Sequence, residues 1–483
     1  LLFSTYTFFV FLLVVLAVGG IAQRARSSIL VWLLVIASLA FYAKWDYRYL
    51  ALLIGSMVFN YAIGNTIAAT RSRAVFALGI IVDIGLLGWF KYANWIFANL
   101  SSVRLWDEPS HIILPLAISF FTFEQISYLV DCRKGLIRPA TVAEYAFFVT
   151  FFPKLIAGPI VRFSELQPQI ARMQINLTSL SAGLTLFVIG LGKKLLVADY
   201  MVQFVTPVFD HARLGLEIGT IDAWLGALCY TFQLYFDFSG YSDMAIGLSL
   251  MFGLSLPLNF YSPYKATSII EFWRRWHMTL SRFLRDYIYF PLGGGRRGPV
   301  KRYINLFVVM TLGGLWHGAG STFIIWGALH GCYLAVNHAF RAIVADWKPT
   351  SIVARFGWRL AAWGLTFLSV VIGWVFFRAE GAPAAVHLLS AMFVPNRGQP
   401  AIDQPIAMVA IAGALALALL TPNSNQIMGG QVLGSAVTES RVVDAPKWIV
   451  WRPSPSWAAI MGVALFAVIT GMSTPRPFLY FTF

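Results

Sequence analysis

From residue 3 to residue 472 the chain is a succession of apolar stretches separated by short polar intervals. Spanning a bilayer takes roughly 20 mostly apolar residues per helix. Stretches of that kind lie near 3–19, 28–43, 49–69, 75–98, 111–130, 143–160 and 177–208, and again near 220–252, 303–319, 322–343, 358–377, 404–421 and 456–472. Charged residues make up only 12% of the 483-residue chain, against 58% hydrophobic ones. Ordinary domains carry about 25% charge, so too few ionised groups remain here to coat a water-soluble surface. The pattern predicts an all-α polytopic membrane protein with about 11 to 13 embedded helices. The opening stretch, Leu1 to Gly19, lacks a basic leader and is followed at once by further apolar sequence, so it reads as a first membrane helix.

The 36 basic and 21 acidic residues leave a net charge of +15. Lys and Arg collect in cytoplasmic loops of membrane proteins, which accounts for this excess without nucleic acid. The strongest basic cluster runs from Lys265 to Arg302, where nine Lys and Arg face only Glu271 and Asp286. It is expected on the cytoplasmic face, together with the weaker group Arg133, Lys134 and Arg138. Cys132, Cys229 and Cys332 have no metal or redox spacing and read as structural. Pro115, Pro153, Gly158, Pro159, Gly313 and Gly314 predict broken helices, which a membrane tolerates only inside protein or along a cavity. The polar, Pro-rich segments 382–403 and 422–455 read as exposed loops.

Two histidines stand out. Glu271 to Tyr289 reads as one amphipathic helix, with Phe272, Trp273, Trp276, Leu280, Phe283, Leu284, Tyr287 and Ile288 on one face and Arg275, Arg282 and Asp286 opposite. His277 falls at the edge of the apolar face, beside Trp273, Ser281 and Leu284. His317 lies in Gly313-Gly314-Leu315-Trp316-His317-Gly318-Ala319, between strongly apolar flanks. An ionisable side chain inside a membrane is expensive and is a functional candidate by default. Burial favours the neutral imidazole, which is the form a general base needs. The glycines around it permit close approach of a substrate or another helix. His330, in Leu329-His330-Gly331, is also embedded, and a packed role suits it better.

Other chemistries fit poorly. The chain has no Gly-x-Ser-x-Gly elbow, no His-Glu-x-x-His and no Cys pair for zinc, so no metal is expected. Gly293 to Gly298 resembles a phosphate loop in composition only, lacking the Gly-Lys-Ser/Thr ending. Gln233, Asp237, Ser239, Tyr241, Ser242 and Asp243 form a polar run within an apolar segment. Buried polar groups need partners, so this run either lines a cavity or locks helices together.

These residues carry a resemblance. Leu114 to Asp131, Phe152 to Arg162, Tyr230 to Gly247, Pro257-Leu258-Asn259-Phe260, Phe272 to His277, Leu284 to Tyr287, Pro291 to Gly294, Gly313 to Ala319 and Gly373 to Arg378 resemble the membrane-bound O-acyltransferase (MBOAT) family. Within it they resemble the bacterial branch typified by the alginate O-acetylation membrane protein. The likeness covers most of residues 1–380, with 230–331 as the catalytic segment; 381–483, C-terminal membrane helices with polar loops, match weakly. Cys132 departs from the residue this branch often carries before Arg-Lys-Gly.

The resemblance implies a ring of tilted, partly broken helices around a central tunnel that admits an acyl donor from the cytosol. It assigns catalysis to His317, the Trp-His-Gly histidine, and to His277. The donor expected is acetyl-CoA, a substrate rather than a resident cofactor. Arg274, Arg285, Arg296 and Arg297, with Trp273 and Trp276, are candidates to hold it. Gln233, Asp237, Ser239, Tyr241, Asp243, Trp316 and His330 are further tunnel candidates. The branch implies a multi-pass protein of the bacterial inner membrane, with an SGNH or esterase-like periplasmic partner and a polysaccharide such as alginate, cellulose or peptidoglycan as final acceptor. Alternatives are a lipid or small-alcohol acyltransferase, or an acetyl conduit whose chemistry sits in the partner.

Overall fold

The computed structural model describes residues 2–25, 27–102, 112–344, 351–429, 446, 448–470, 472, 476 and 478–479. Much of the expected loop at 422–455 lies outside these residues. The described residues are helical, with no strand among them. In chain order the first helices are α1 (Tyr6–Ala25), α2 (Ser27–Asp46), α3 (Leu50–Thr70), α4 (Arg73–Ser102), α5 (Ile118–Lys134), α6 (Val142–Thr150), α7 (Phe152–Leu155), α8 (Phe163–Ile170) and α9 (Leu177–Gly192). A π-helical turn, Lys193–Ala198, leads into α10 (Asp199–Leu214) and then α11 (Thr220–Met251). Next come α12 (Ile269–Trp273), α13 (Met278–Leu284), α14 (Pro299–His317), α15 (Ser321–Ile343) and α16 (Ile352–Arg378). The last are α17 (Ala382–Phe393), α18 (Gln404–Leu420), α19 (Ser424–Ile427) and α20 (Pro455–Thr470).

Among the described residues, five helical stretches are long and apolar enough to cross a membrane: Tyr6–Arg24, Ser28–Thr70, Arg73–Leu100, Leu177–Leu214 and Ile352–Arg378. The expected apolar stretches and the observed helices coincide along most of the chain, because a run of bilayer length can satisfy its backbone in lipid only as a helix.

The chain divides into two compact units. One gathers 1–192, 240–258 and 424–482; the other gathers Lys193–Ser239 and Asn259–Asn423. In the first, α1 packs on α2, and α5 packs on both α3 and α4. A buried pair, Lys154 Nζ to Glu124 Oε2 at 2.6 Å, ties α7 to α5 there. The second unit carries both candidate histidines. Its tightest contact is the antiparallel pair α14 and α15.

Three expectations change. Gly313 and Gly314 do not break a helix, since α14 runs unbroken from Pro299 to His317. They serve contact instead. A β-carbon on Gly314 would collide with the Phe323 carbonyl, and one on Gly327 would collide with the Met310 carbonyl. One on Gly331 would lie 2.8 Å from Phe307 Cα. Small residues let two helix backbones approach in this way inside a membrane protein. Second, part of 382–403 is helix rather than loop. Gly381 and Pro383 start α17, and Ala384, Ala385, Leu388 and Met392 form a buried stripe at helical spacing.

The third change concerns Glu271 to Tyr289, which is not one helix. It is α12, a turn through Arg274 to His277, then α13 and a π-helical turn Arg285–Tyr289. The extended segment before it takes up the freed backbone groups. Met278 N donates to Asn259 O at 2.9 Å, and Tyr261 N donates to Arg275 O at 2.9 Å. A helix survives interruption where neighbouring chain re-satisfies its backbone.

Candidate active site

His277 occupies the break between α12 and α13, as the residue just before α13, with φ 41° and ψ 54°. A non-glycine residue in this left-handed region carries strain of order 1–3 kcal/mol and persists only where its surroundings hold it. Asn259 does the holding. Its Oδ1 lies 3.0 Å from His277 Nδ1, accepts the Thr279 hydroxyl at 2.9 Å, and accepts the Thr279 backbone N–H at 3.4 Å. The backbone N–H can only donate, so the atom facing all three groups is the amide oxygen. Nδ1 of His277 therefore carries the hydrogen. In the neutral ring, Nε2 is then the lone-pair atom. His277 is fully buried, with Phe238 edge-on at 4.8 Å.

His317 ends α14, and the chain leaves the helix there because Gly318 is extended at φ −163°. Its ring is buried, in contact with Trp316 at 4.9 Å, Phe377 at 5.1 Å and Trp326 at 5.2 Å between centroids. The His277 and His317 rings have centroids 6.2 Å apart. At that separation the rings are too distant to hydrogen-bond each other directly. The two histidines singled out in the sequence thus meet, from elements separated by the basic loop.

Around them lies an aromatic cluster. Trp276 packs on Trp374 at 4.8 Å and on Phe272 at 5.6 Å, and Trp326 stacks on Trp374 at 5.7 Å. Trp374 Nε1 donates to the Tyr264 hydroxyl at 3.2 Å, which donates in turn to Thr231 O at 2.7 Å. His330 is fully buried in the same cluster, where its Nδ1 accepts the Trp273 indole N–H at 3.2 Å. Trp273 and Trp276 are therefore core members rather than surface residues.

The candidate arginines stand elsewhere. Arg274, Arg285, Arg296 and Arg297 are all exposed, and Arg285 pairs with Asp286 at 2.8 Å. Beside them, Arg275 pairs with Glu271 at 2.6 Å. Partial burial works against the Glu271 charge, but the Thr267 N–H and the Arg275 guanidinium outweigh it and hold the carboxyl below the usual carboxylate range. Part of the polar run on α11 locks elements together. Asp237 pairs with Lys194 at 2.7 Å, and Lys194 also holds Asp199 at 2.8 Å. Tyr241 stacks between Phe3 at 4.9 Å and Phe478 at 4.5 Å. Gln233 Oε1 and Ser239 Oγ, both buried, have no hydrogen-bond partner among the described residues. Asp243 and Trp316 are buried as well. Among the described residues no group of His, Cys, Asp and Glu is arranged to hold a metal ion.

Sequence reading assigned no role to Asn259, Lys194 or Trp326. Asn259 offered a signal, as a lone amide between Leu258 and Phe260. Trp326 offered another, one helical turn before His330.

A family model described as MBOAT, membrane-bound O-acyltransferase family, matches residues 31–373. The peptidoglycan O-acetyltransferase of Helicobacter pylori is 44% identical over 392 residues, spanning 74% of this chain and 73% of that protein. The probable alginate O-acetylase AlgI of Pseudomonas syringae pv. tomato is 47% identical over 409 residues, 81% of this chain and 75% of the relative. The teichoic acid D-alanyltransferase of Streptococcus thermophilus is 30% identical over 273 residues, 52% of this chain and 65% of that protein. With the family match spanning both histidine segments, the chain belongs to the membrane-bound O-acyltransferase family.

Proposed function

We propose that this protein is an O-acetyltransferase of the bacterial inner membrane, serving O-acetylation of an exopolysaccharide or cell-wall polymer. The single observation that carries the chemistry is the meeting of His277 and His317, two buried imidazoles with centroids 6.2 Å apart. The relatives named for alginate and peptidoglycan O-acetylation support the polymer class.

In the proposed reaction the donor is acetyl-CoA. The exposed Arg274, Arg285, Arg296 and Arg297 suit its phosphates. Neutral His317 takes the proton of an acceptor hydroxyl, and the oxygen attacks the thioester carbonyl. The carbon–sulfur bond breaks, and the leaving thiolate takes the proton back from the imidazolium. General-base assistance contributes typically about 10²–10⁴-fold. The Asn259 bond limits what His277 does. With Nδ1–H committed to Asn259, neutral His277 offers Nε2 as an acceptor, and it donates to a carbonyl oxygen only once protonated. The acceptor hydroxyl belongs to the polymer itself or to an SGNH-type periplasmic protein that passes the acetyl group on.

A donor panel tests this reading. Membranes containing the protein, given acyl-CoA substrates of increasing chain length, should transfer acetyl best. Preference for a long chain would point instead to a lipid acyltransferase, and no transfer from any acyl-CoA would defeat the donor assignment.

A further inference from the structure

Because α14 and α15 run antiparallel, the start of one lies beside the end of the other, and α12 joins them there. Arg302 lies in the first turn of α14, and His338 and Arg341 share a face in the last turns of α15. Two side-chain bonds tie α12 to that end of α15. The Ile270 N–H donates to Asn337 Oδ1 at 3.3 Å, and Arg341 Nη2 donates to the Ser268 hydroxyl at 3.1 Å. Arg274 directly follows α12. The charges of Arg302, Arg341 and Arg274 all act on the partly buried His338 ring.

No carboxylate answers these three charges. Glu271 is committed to Arg275 at 2.6 Å and Asp286 to Arg285 at 2.8 Å. Arg274, Arg302 and Arg341 form no ion pair among the described residues. Arg302 Nε is buried and has no hydrogen-bond partner among them either. Like charges gathered in this way repel one another, and a buried donor left unsatisfied adds to the cost. The Arg302 stem is nonetheless held in place. Asn305 Nδ2 donates to Gly294 O at 2.9 Å and to Leu292 O at 3.3 Å, which fastens the glycine loop to α14. A β-carbon on Gly295 of that loop would lie 3.4 Å from Arg302 Cδ.

We propose that Arg302, Arg341 and Arg274, gathered around His338, bind a phosphate group. Guanidinium groups match phosphate oxygens in geometry as well as charge, and several of them suit an anion with more than one negative oxygen. Arg302, Arg341 and His338 have no part in the donor contacts described above. Two sources present this chemistry. One is the 3′-phosphate or diphosphate of CoA, which rests on the thioester-donor reading. The other is the headgroup of an anionic phospholipid, which does not.

The test uses the full chain, purified in detergent, as wild type, Arg302→Gln and Arg341→Gln. Arg172→Gln, which alters an exposed arginine of the first unit, controls for net charge. Equilibrium dialysis measures CoA and 3′-dephospho-CoA. A second titration uses fluorescent phosphatidylglycerol, with phosphatidylcholine as the neutral reference. If CoA supplies the phosphate, Arg302→Gln and Arg341→Gln each weaken CoA binding by about tenfold or more. Unchanged binding of 3′-dephospho-CoA then assigns the 3′-phosphate, and an equal loss assigns the diphosphate. If a lipid supplies it, CoA binding is unchanged and phosphatidylglycerol alone weakens by about tenfold. Variants that elute as folded protein and bind every probe as the wild type does overturn the site. An equal loss in Arg172→Gln overturns it too, because only overall charge is then at work. A wild type that binds no CoA overturns the donor reading, and the phosphatidylglycerol titration then decides the site.

Discussion

Asn259 and His277, eighteen residues apart in the chain, meet at 3.0 Å between Oδ1 and Nδ1. This one amide fixes three things together: the interruption of the helix, the left-handed backbone of His277 and the position of the imidazole hydrogen. The link runs from a local break in secondary structure to the protonation pattern of a candidate catalytic ring.

Replacing Asn259 by Leu is expected to lower turnover by roughly 10²-fold, the order that a misplaced reacting group costs. Asn259→Asp keeps an acceptor for Nδ1–H and should retain most of the activity. Thr279→Ala removes only the hydroxyl contact and should leave turnover near normal. Steady-state kinetics on the three variants separate orientation of His277 from simple capping of α13, because a capping role alone would make Thr279→Ala and Asn259→Leu behave alike.

The glycine seam between α14 and α15 makes a prediction about folding. Gly314→Val places side-chain atoms against the Phe323 carbonyl, which is backbone and has no rotamer to give. Overpacking of this kind costs about 1–3 kcal/mol, occasionally more. Gly320→Ala brings only an ordinary contact, 3.6 Å from Phe323 Cδ2. Size-exclusion profiles in detergent should show loss of the monodisperse species for the first variant and retention for the second.

Much of this fold is legible in the sequence because hydrocarbon leaves so few options. Apolar runs of bilayer length become helices, as α1 to α4 and α14 to α16 illustrate. The break at Arg274 to His277 is hidden, since the groups that receive the freed backbone come from Asn259 and Tyr261, well outside any local window. Gly313 and Gly314 look like helix breakers when α15 is out of view and like a contact surface once it is present.

Lys194 lies between two carboxylates, Asp199 at 2.8 Å and Asp237 at 2.7 Å, with side-chain exposures of 5%, 14% and 1%. Removing one partner of a buried ion pair costs about 3–5 kcal/mol, because the remaining charge is left uncompensated. Lys194→Met is accordingly expected to lower the thermal midpoint in detergent. Lys194→Met combined with Asp199→Asn and Asp237→Asn should recover much of that loss. A triple variant no more stable than Lys194→Met would contradict the pairing.

The most direct test of the whole account is acetyl transfer by a His317→Ala variant, measured in membranes that carry normal amounts of folded protein. Transfer from acetyl-CoA should fall by at least two orders of magnitude, to the level left by binding and carbonyl stabilisation alone. Transfer at close to the wild-type rate would show that the proton is taken elsewhere and that this imidazole is only packing.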